Sequence, residues 1–303
     1  KYVVEGGEGW KRVERGGEAG GVRGRWKGVF EGPLRGRPVK EVVATHHHPD
    51  HIGFRGWFVE EYGAEYVSTQ VAYLMGRMLT MDIQERYTEG QIEFYRRAGM
   101  RADLLAARQD ERPFNFSDIV HPIPIGFTRI EEGDVIEMGG RSWDVRVDHG
   151  HAPDHATFWS RDDNLVLCGD QVIASISSNI GVYPTEPDAN PLADWLDSCA
   201  RLQNFARADH LALPGHKLPF VGMPLRLRQL EENHHGALTR LRADLKTPKT
   251  AGEVMMAVFK RQIGDGEYGL GLVEALAHCN YLWHAGEVTR SLHQDGAYRW
   301  VMK

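Results

Sequence analysis

The sequence predicts an α/β sandwich, and three observations carry that prediction. Short apolar runs recur in both halves of the chain, each ending in a polar loop: Val39 to Thr45, Glu65 to Ser68, Leu165 to Cys168 and Leu211 to Leu213. Stretches with helical spacing separate them, at about residues 56–62, 69–112 and 192–208. The composition, 42% hydrophobic and 26% charged over 303 residues, suits one large domain or one domain with a modest appendage. Strands alternating with helices pack as helical layers on sheets rather than as a bundle or a closed barrel.

Taken in chain order, the Gly-rich first forty residues offer two short strands, Tyr2-Val3-Val4 and Trp10 to Val13, with Gly6-Gly7 suited to a turn between them. Val39 to Thr45 reads as a buried strand that delivers the loop "THHHPDHIG" at its C-terminal end. A short helix, Gly56 to Tyr62, then leads into the strand Glu65 to Ser68. Residues 69–112 form a helical insertion with few β-branched residues, ended by Pro113. From His121 to Asp148 short strands return, with tight turns at Glu132-Gly133-Asp134 and Gly139-Gly140. Thr157 to Trp159 and Leu165 to Cys168 are two more strands, 192–208 a helix, and Leu211 to Leu213 a further strand. Beyond Pro224 the chain is mostly helical, near 223–245, 250–262 and 270–285, and closes in a hairpin turning at Asp295-Gly296. The expected division is a catalytic domain, 1–221, and a C-terminal subdomain, 222–303.

Net charge is −6, so no global basic field recruits nucleic acid or an anionic membrane. No apolar run approaches the ~20 residues of a membrane span. The start shows no charged-then-apolar leader, although the first residue is not Met, which leaves room for a leader or other residues ahead of it. Three widely spaced cysteines, Cys168, Cys199 and Cys279, read as reduced thiols of a cytoplasmic protein rather than a disulfide framework.

Four stretches carry the chemistry. They are His46-x-His48-x-Asp50-His51, "GHAPDH" with His151 and His155, "LCGDQ" with Asp170, and "LPGHKLPF" with His216. Each puts metal-ligating residue types where a buried strand meets a loop, the position from which loops on a rigid scaffold converge. Neutral imidazole and carboxylate bind borderline-soft divalent metals at ~2.0–2.2 Å. Five imidazoles and two carboxylates exceed what one tetrahedral ion takes and suit a pair ~3.5–4 Å apart with a shared ligand. His155 reads as support that orients a ligand or its loop. His47, His149, His234 and His235 read as solvated or structural, and Met75, Met78 and Met81 as core or lid packing.

Through these four stretches, in this order, the sequence resembles the metallo-β-lactamase superfamily over about Val39 to Phe220. The resemblance implies an αββα sandwich with the site at one edge of two sheets. It implies His46, His48 and His151 on one metal, Asp50, His51 and His216 on the other, and Asp170 bridging. It also implies a winged-helix-like fold for the C-terminal subdomain. One departure stands out: the family commonly carries an Asp-Thr/Ser-Gly turn after the second strand, where this chain has Glu14-Arg15-Gly16.

A hydroxide held by two divalent ions is a nucleophile near neutral pH, and the resemblance gives Asp50 the further task of orienting it and handling its proton. Asp170 in the bridging place sets the chain apart from β-lactamases that use a cysteine there. It resembles instead thioesterases of the glyoxalase II type, lactonases and RNase Z-like nucleases, which share one metal apparatus. The leading expectation is a dinuclear hydrolase, loaded with zinc (iron or manganese the alternatives), acting on a small-molecule thioester or lactone. The rivals are a metal-dependent endoribonuclease or phosphodiesterase, a mononuclear iron persulfide dioxygenase, and a metal-stabilised binding module. Arg226, Arg228, Arg240, Arg242 and Lys246 are interspersed with Glu231, Glu232 and Asp244, a mixed solvated face rather than a phosphate grip. The expected partner is therefore a small molecule, without nucleic acid or membrane, and monomer and homodimer both stay open. The insertion suits either a lid over an apolar substrate or a dimer surface.

Overall fold

The structure, a computed structural model, describes residues 2–6, 9–13 and 21–303. Gly7 of the expected first turn and the Glu14-Arg15-Gly16 turn lie outside the described residues. Compactness divides the chain into two units: residues 1–83, 114–176 and 207–223 form the first, and 84–113, 177–206 and 224–303 the second. This partition follows no single cut in the chain. It assigns residues 84–113 and 177–206 to the same unit as the C-terminal region, whereas the sequence suggested one boundary near residue 221.

The first unit contains two five-stranded sheets. One runs in the order β1 (Tyr2–Gly6), β2 (Gly9–Val13), β3 (Val39–Val43), β4 (Glu65–Ser68) and β5 (Thr128–Arg129), antiparallel only between β1 and β2. The other holds β6 (Val135–Met138), β7 (Arg141–Asp148), β8 (His155–Ser160), β9 (Leu165–Gly169) and β10 (Leu211–Pro214) in the order β10-β9-β8-β7-β6, with β9 and β10 parallel. Successive residues of a strand face opposite sides, and this sorts the core. Val43 and Val67 pack with Trp143, Val145, Phe158 and Leu167 of the second sheet. Their neighbours Val42 and Tyr66 pack on the other face, under helices. Gly139 and Gly140, at φ 63 and 69, make the two-residue turn of the β6–β7 hairpin, where two left-handed residues match the strand twist.

The helices of this unit are α1 (Val22–Glu31), α2 (Pro49–Ile52), α3 (Arg55–Tyr62) and α4 (Gln70–Met81). No sequence pattern announces α1, because Gly24 and Gly28 each cost about 1 kcal/mol of helix propensity. Burial overrides that cost. Trp26 and Phe30, four residues apart, lie within 5.9 Å and 5.8 Å of the Phe58 ring, and Phe30 within 5.5 Å of Tyr62. On α4, Tyr73 is buried while Met78 and Met81 are exposed, so these two methionines are not core residues.

Close packing at the start of α3 gives a stability prediction. A Cβ on Gly56 would stand 1.8 Å from the Pro122 carbonyl oxygen, a backbone atom that cannot turn aside. Gly56→Ala is expected to cost about 2 kcal/mol. The check is a lowered urea midpoint at unchanged slope.

The second unit contains α5 (Glu89–Arg97), α6 (Ala102–Asp110), α7 (Pro191–Gln203), α8 (Met223–Asp244), α9 (Met255–Phe259) and α10 (Asp265–His284). The antiparallel hairpin β11 (Val288–Leu292) and β12 (Tyr298–Met302) closes the chain as expected. Among the described residues no helix is long and apolar enough to cross a membrane.

Candidate metal centre

All four ligand-bearing loops leave the C-terminal ends of strands in the first unit. The loop after β3 carries His46, His48, Asp50 and His51; those after β7, β9 and β10 carry His151, Asp170 and His216. Two backbone hydrogen bonds stitch them together: the Ala156 N–H donates to Thr45 O at 2.7 Å, and the Gly215 N–H to Gly169 O at 2.7 Å. Pro49 opens α2 at its first position, where its missing N–H costs nothing and its ring turns the chain between the two ligand pairs.

The side chains converge as two overlapping sets. His46, His48 and His151 form one group, Asp50, His51 and His216 another, and His46, His51 and Asp170 a third between them, with the ligand atoms of each group within 4.8 Å of one another. His46 Nε2 and His48 Nδ1 stand 3.0 Å apart, and His51 Nε2 and His216 Nε2 3.3 Å. Two donors each ~2.1 Å from a tetrahedral ion would stand about 3.4 Å apart, so these spacings fit a metal. One oxygen of Asp170 faces both sets, 3.2 Å from His51 Nε2, 3.4 Å from His216 Nε2 and 3.7 Å from His151 Nε2.

Electrostatics agrees with that fit. Burial, together with the surrounding imidazoles, holds His46 and His48 well below the usual histidine pKa, leaving them neutral, the form that binds metal. Burial pulls Asp50 upward, but hydrogen bonds from His216 and His51 outweigh it and keep the carboxyl ionised far below its ordinary range. His216 is raised in turn, first by the same bond to Asp50, at 2.9 Å. Asp50 and His216 are the exposed members, with side chains 44% and 46% accessible, so the site opens on their side.

His155 stands apart from the three groups. Its Nε2 accepts the Asp170 backbone N–H at 3.0 Å, and its ring stacks on His46 at 4.6 Å between centroids. It touches Asp170 and His46 without belonging to any of the three groups. His47 departs from the solvated alternative: it is buried, stacked at 12° on Phe116, and burial pushes its pKa down to about 4. His149 is exposed and accepts the Asp154 N–H, while His234 is buried beside His278 in the second unit and His235 is exposed.

Sequence reasoning passed over the backbone that aims these ligands. Left-handed residues stand beside Asp170 and His216 and beside the supporting His155: Asp154 before His155, Gly169 before Asp170, and Lys217 after His216, with φ of 50, 50 and 66. At Gly169 a Cβ would meet the His155 ring at 2.5 Å, so only glycine lets the Asp170 loop close on His155. Asp154 is held by its carbonyl, which accepts from Thr69 Oγ1 at 2.7 Å. Such strain persists where surrounding structure over-determines it. The glycine was visible in "LCGDQ"; the other two were not.

Known proteins resemble this chain over most of its length. A family model, "Metallo-beta-lactamase superfamily", matches residues 16–216, and a second, "Metallo-beta-lactamase-like, C-terminal domain", matches 238–303. The chain is 26% identical over 270 residues to the Bacillus subtilis (strain 168) protein "Probable metallo-hydrolase YqjP", covering 88% of this chain and 81% of that one. Among solved structures, a β-lactamase domain protein from Burkholderia ambifaria is 32% identical with TM-score 0.89, over 97% of this chain and 84% of that one. A metallo-β-lactamase family protein from Thermus thermophilus is 27% identical with TM-score 0.81, over 100% and 93%.

Proposed function

Because the chain belongs to the metallo-β-lactamase superfamily and is a metal-dependent hydrolase, we propose that it works with two divalent ions, zinc above others, on a small-molecule thioester or lactone. The observation that carries the two-ion reading is the single Asp170 oxygen facing His151 on one side and His51 with His216 on the other. When bound, two such ions supply a water acidic enough to attack near neutral pH and a Lewis acid for the acyl oxygen.

The chain's own residues do the rest. Asp50 stands at the open side of the site, one carboxylate oxygen 2.9 Å from His216 Nε2 and 3.2 Å from His51 Nε2, the three atoms that would hold one ion. Its other oxygen orients the attacking water and takes up its proton. His46 and His151 are buried and shield the inner side from bulk water. No side-chain nucleophile is required, and Cys168, the nearest thiol in sequence, is buried with its Sγ donating to Val166 O.

The ester reading is favoured over RNA by what the basic residues of α8 do. The Arg240 guanidinium donates to the carbonyls of Ala257 and Val258, and Arg242 pairs with Glu287, so both are engaged within their own unit. With a net charge of −6, no global basic field adds to what the remaining Arg228 and Lys246 could offer a phosphate. Residues 222–303 are read as a winged-helix-like subdomain, and the three buried free cysteines suit a reducing cytoplasm. The test is a panel of acyl thioesters and lactones against a single-stranded RNA, with and without EDTA. EDTA-sensitive ester turnover is expected; RNA cleavage with no ester turnover would contradict it.

A further inference from the structure

We propose that Lys217 selects the substrate, by binding a carboxylate carried on an aliphatic part of the ester; this rests on the hydrolase reading above. The loop that bears it is pinned at both ends. Ala212 and Phe220 exchange backbone hydrogen bonds at 2.8 and 3.1 Å, the Gly215 N–H donates to Gly169 O, and Tyr2 Oη donates to Pro214 O at 2.8 Å. Residues 214–219 therefore form a closed, anchored loop. His216 turns inward from it, its Nε2 2.9 Å from Asp50 and 3.4 Å from Asp170.

Lys217 follows directly, at φ 66, a backbone conformation in which side chains are disfavoured and glycine is at home. The sequence nevertheless has a long, exposed cation at this position, one residue after the exposed ligand His216. Its neighbour His216 is the most exposed of the imidazoles in the three ligand groups, and the next residue, Leu218, is 77% accessible. Several surface cations of this unit are paired, Arg141 with Asp163, Arg146 with Glu132 and Arg161 with Asp144. Among the described residues Arg25, Arg35 and Lys40, like Lys217, stand without a carboxylate partner, but none of these three adjoins a ligand in sequence. Among the described residues no carboxylate stands within ion-pair distance of the Lys217 ammonium. An unpaired ammonium on a flexible four-carbon stem, fixed at its root beside a metal ligand, attracts an anion to the rim with its charge uncommitted elsewhere. The exposed Leu218 beside it gives the aliphatic carrier of that anion an apolar surface.

The experiment compares β-(acetylthio)propionate with its uncharged primary amide, on wild type, Lys217→Gly and Lys217→Arg. Glycine suits the backbone at φ 66, so its variant removes the charge while keeping the loop. For the carboxylate, Lys217→Gly is expected to raise KM roughly tenfold with kcat changed less than about twofold, as loss of a charged hydrogen bond made equally in ground and transition states does. The amide should show no comparable change, and Lys217→Arg should restore the carboxylate. Equal effects on both substrates, or no effect on either, would overturn the assignment. Calorimetric binding of the acetonyl thioether of β-mercaptopropionate, which cannot be hydrolysed, reads Lys217 without turnover. If wild type hydrolyses neither ester yet binds this thioether more tightly than Lys217→Gly does, the ester reading fails and the anion site stands. If it hydrolyses both esters with no dependence on Lys217, only the anion site fails.

Discussion

Asp170→Ala is expected to lower the bound metal from two ions to one per chain and hydrolysis by well over a hundredfold. The carboxylate oxygen it removes lies 3.2 Å from His51 Nε2, 3.4 Å from His216 Nε2 and 3.7 Å from His151 Nε2. Without it, each remaining set keeps three donors, but nothing shares charge between two cations that would then face each other across a gap of ~3.5–4 Å. His155→Ala should do less. It removes the acceptor for the Asp170 N–H and the ring beneath His46, and losses of that kind weaken metal binding by about 10- to 100-fold. Elemental analysis of the two variants, beside wild type, checks the ranking. Equal metal loss in both would mean that His155 is itself a ligand.

A second large effect is expected on acidification of the metal-free protein. His47 is neutral in the fold, its pKa pushed by burial to about 4, against about 6.5 in an unfolded chain. Between those values the unfolded chain binds a proton that the folded chain refuses, so stability falls as pH falls, by about 3 kcal/mol across the window for this residue alone. His234 and His278 act with the same sign, since burial lowers both. His216 and Glu274 act in the opposite sense. The raised His216 pKa adds stability below the unfolded value, less because the residue is half exposed. The Glu274 carboxyl, pushed by burial up to about 7, takes its proton in the fold first, so both offset part of the decline. Urea midpoints of EDTA-treated protein should therefore decline steadily from about pH 6.5 to about pH 4, and His47→Phe should flatten the decline. A level profile in wild type would contradict the burial of neutral imidazoles.

Much of this molecule was legible in its sequence because its signals are local. A short apolar run followed by a histidine loop specifies a strand and its C-terminal site whatever surrounds them, and the order of His151, Asp170 and His216 restricted the roles further. The strands at Val39, Glu65, Leu165 and Leu211 all formed where the pattern put them. What escaped detection depends on tertiary context. Helix α1 is helical because Trp26 and Phe30 find Phe58, not because Gly24 and Gly28 favour it. His47 read as solvated or structural, and only its place against Phe116 decides between the two. The left-handed turn at Lys217 is imposed by the closure of Ala212 on Phe220, and no feature of "GHKLPF" announces it. Residues 84–113 and 177–206 likewise join the C-terminal unit through long-range packing that a linear boundary cannot express.

The central claim is a paired metal site built from three imidazoles, a second trio and one shared carboxylate. Anomalous scattering from crystals of the purified protein, read with elemental analysis, addresses it most directly. Two ions per chain are expected: one among His46, His48 and His151, one among Asp50, His51 and His216, with Asp170 touching both. A single iron per chain in the first set, with thiol-dependent oxygen uptake and no ester turnover, would contradict it.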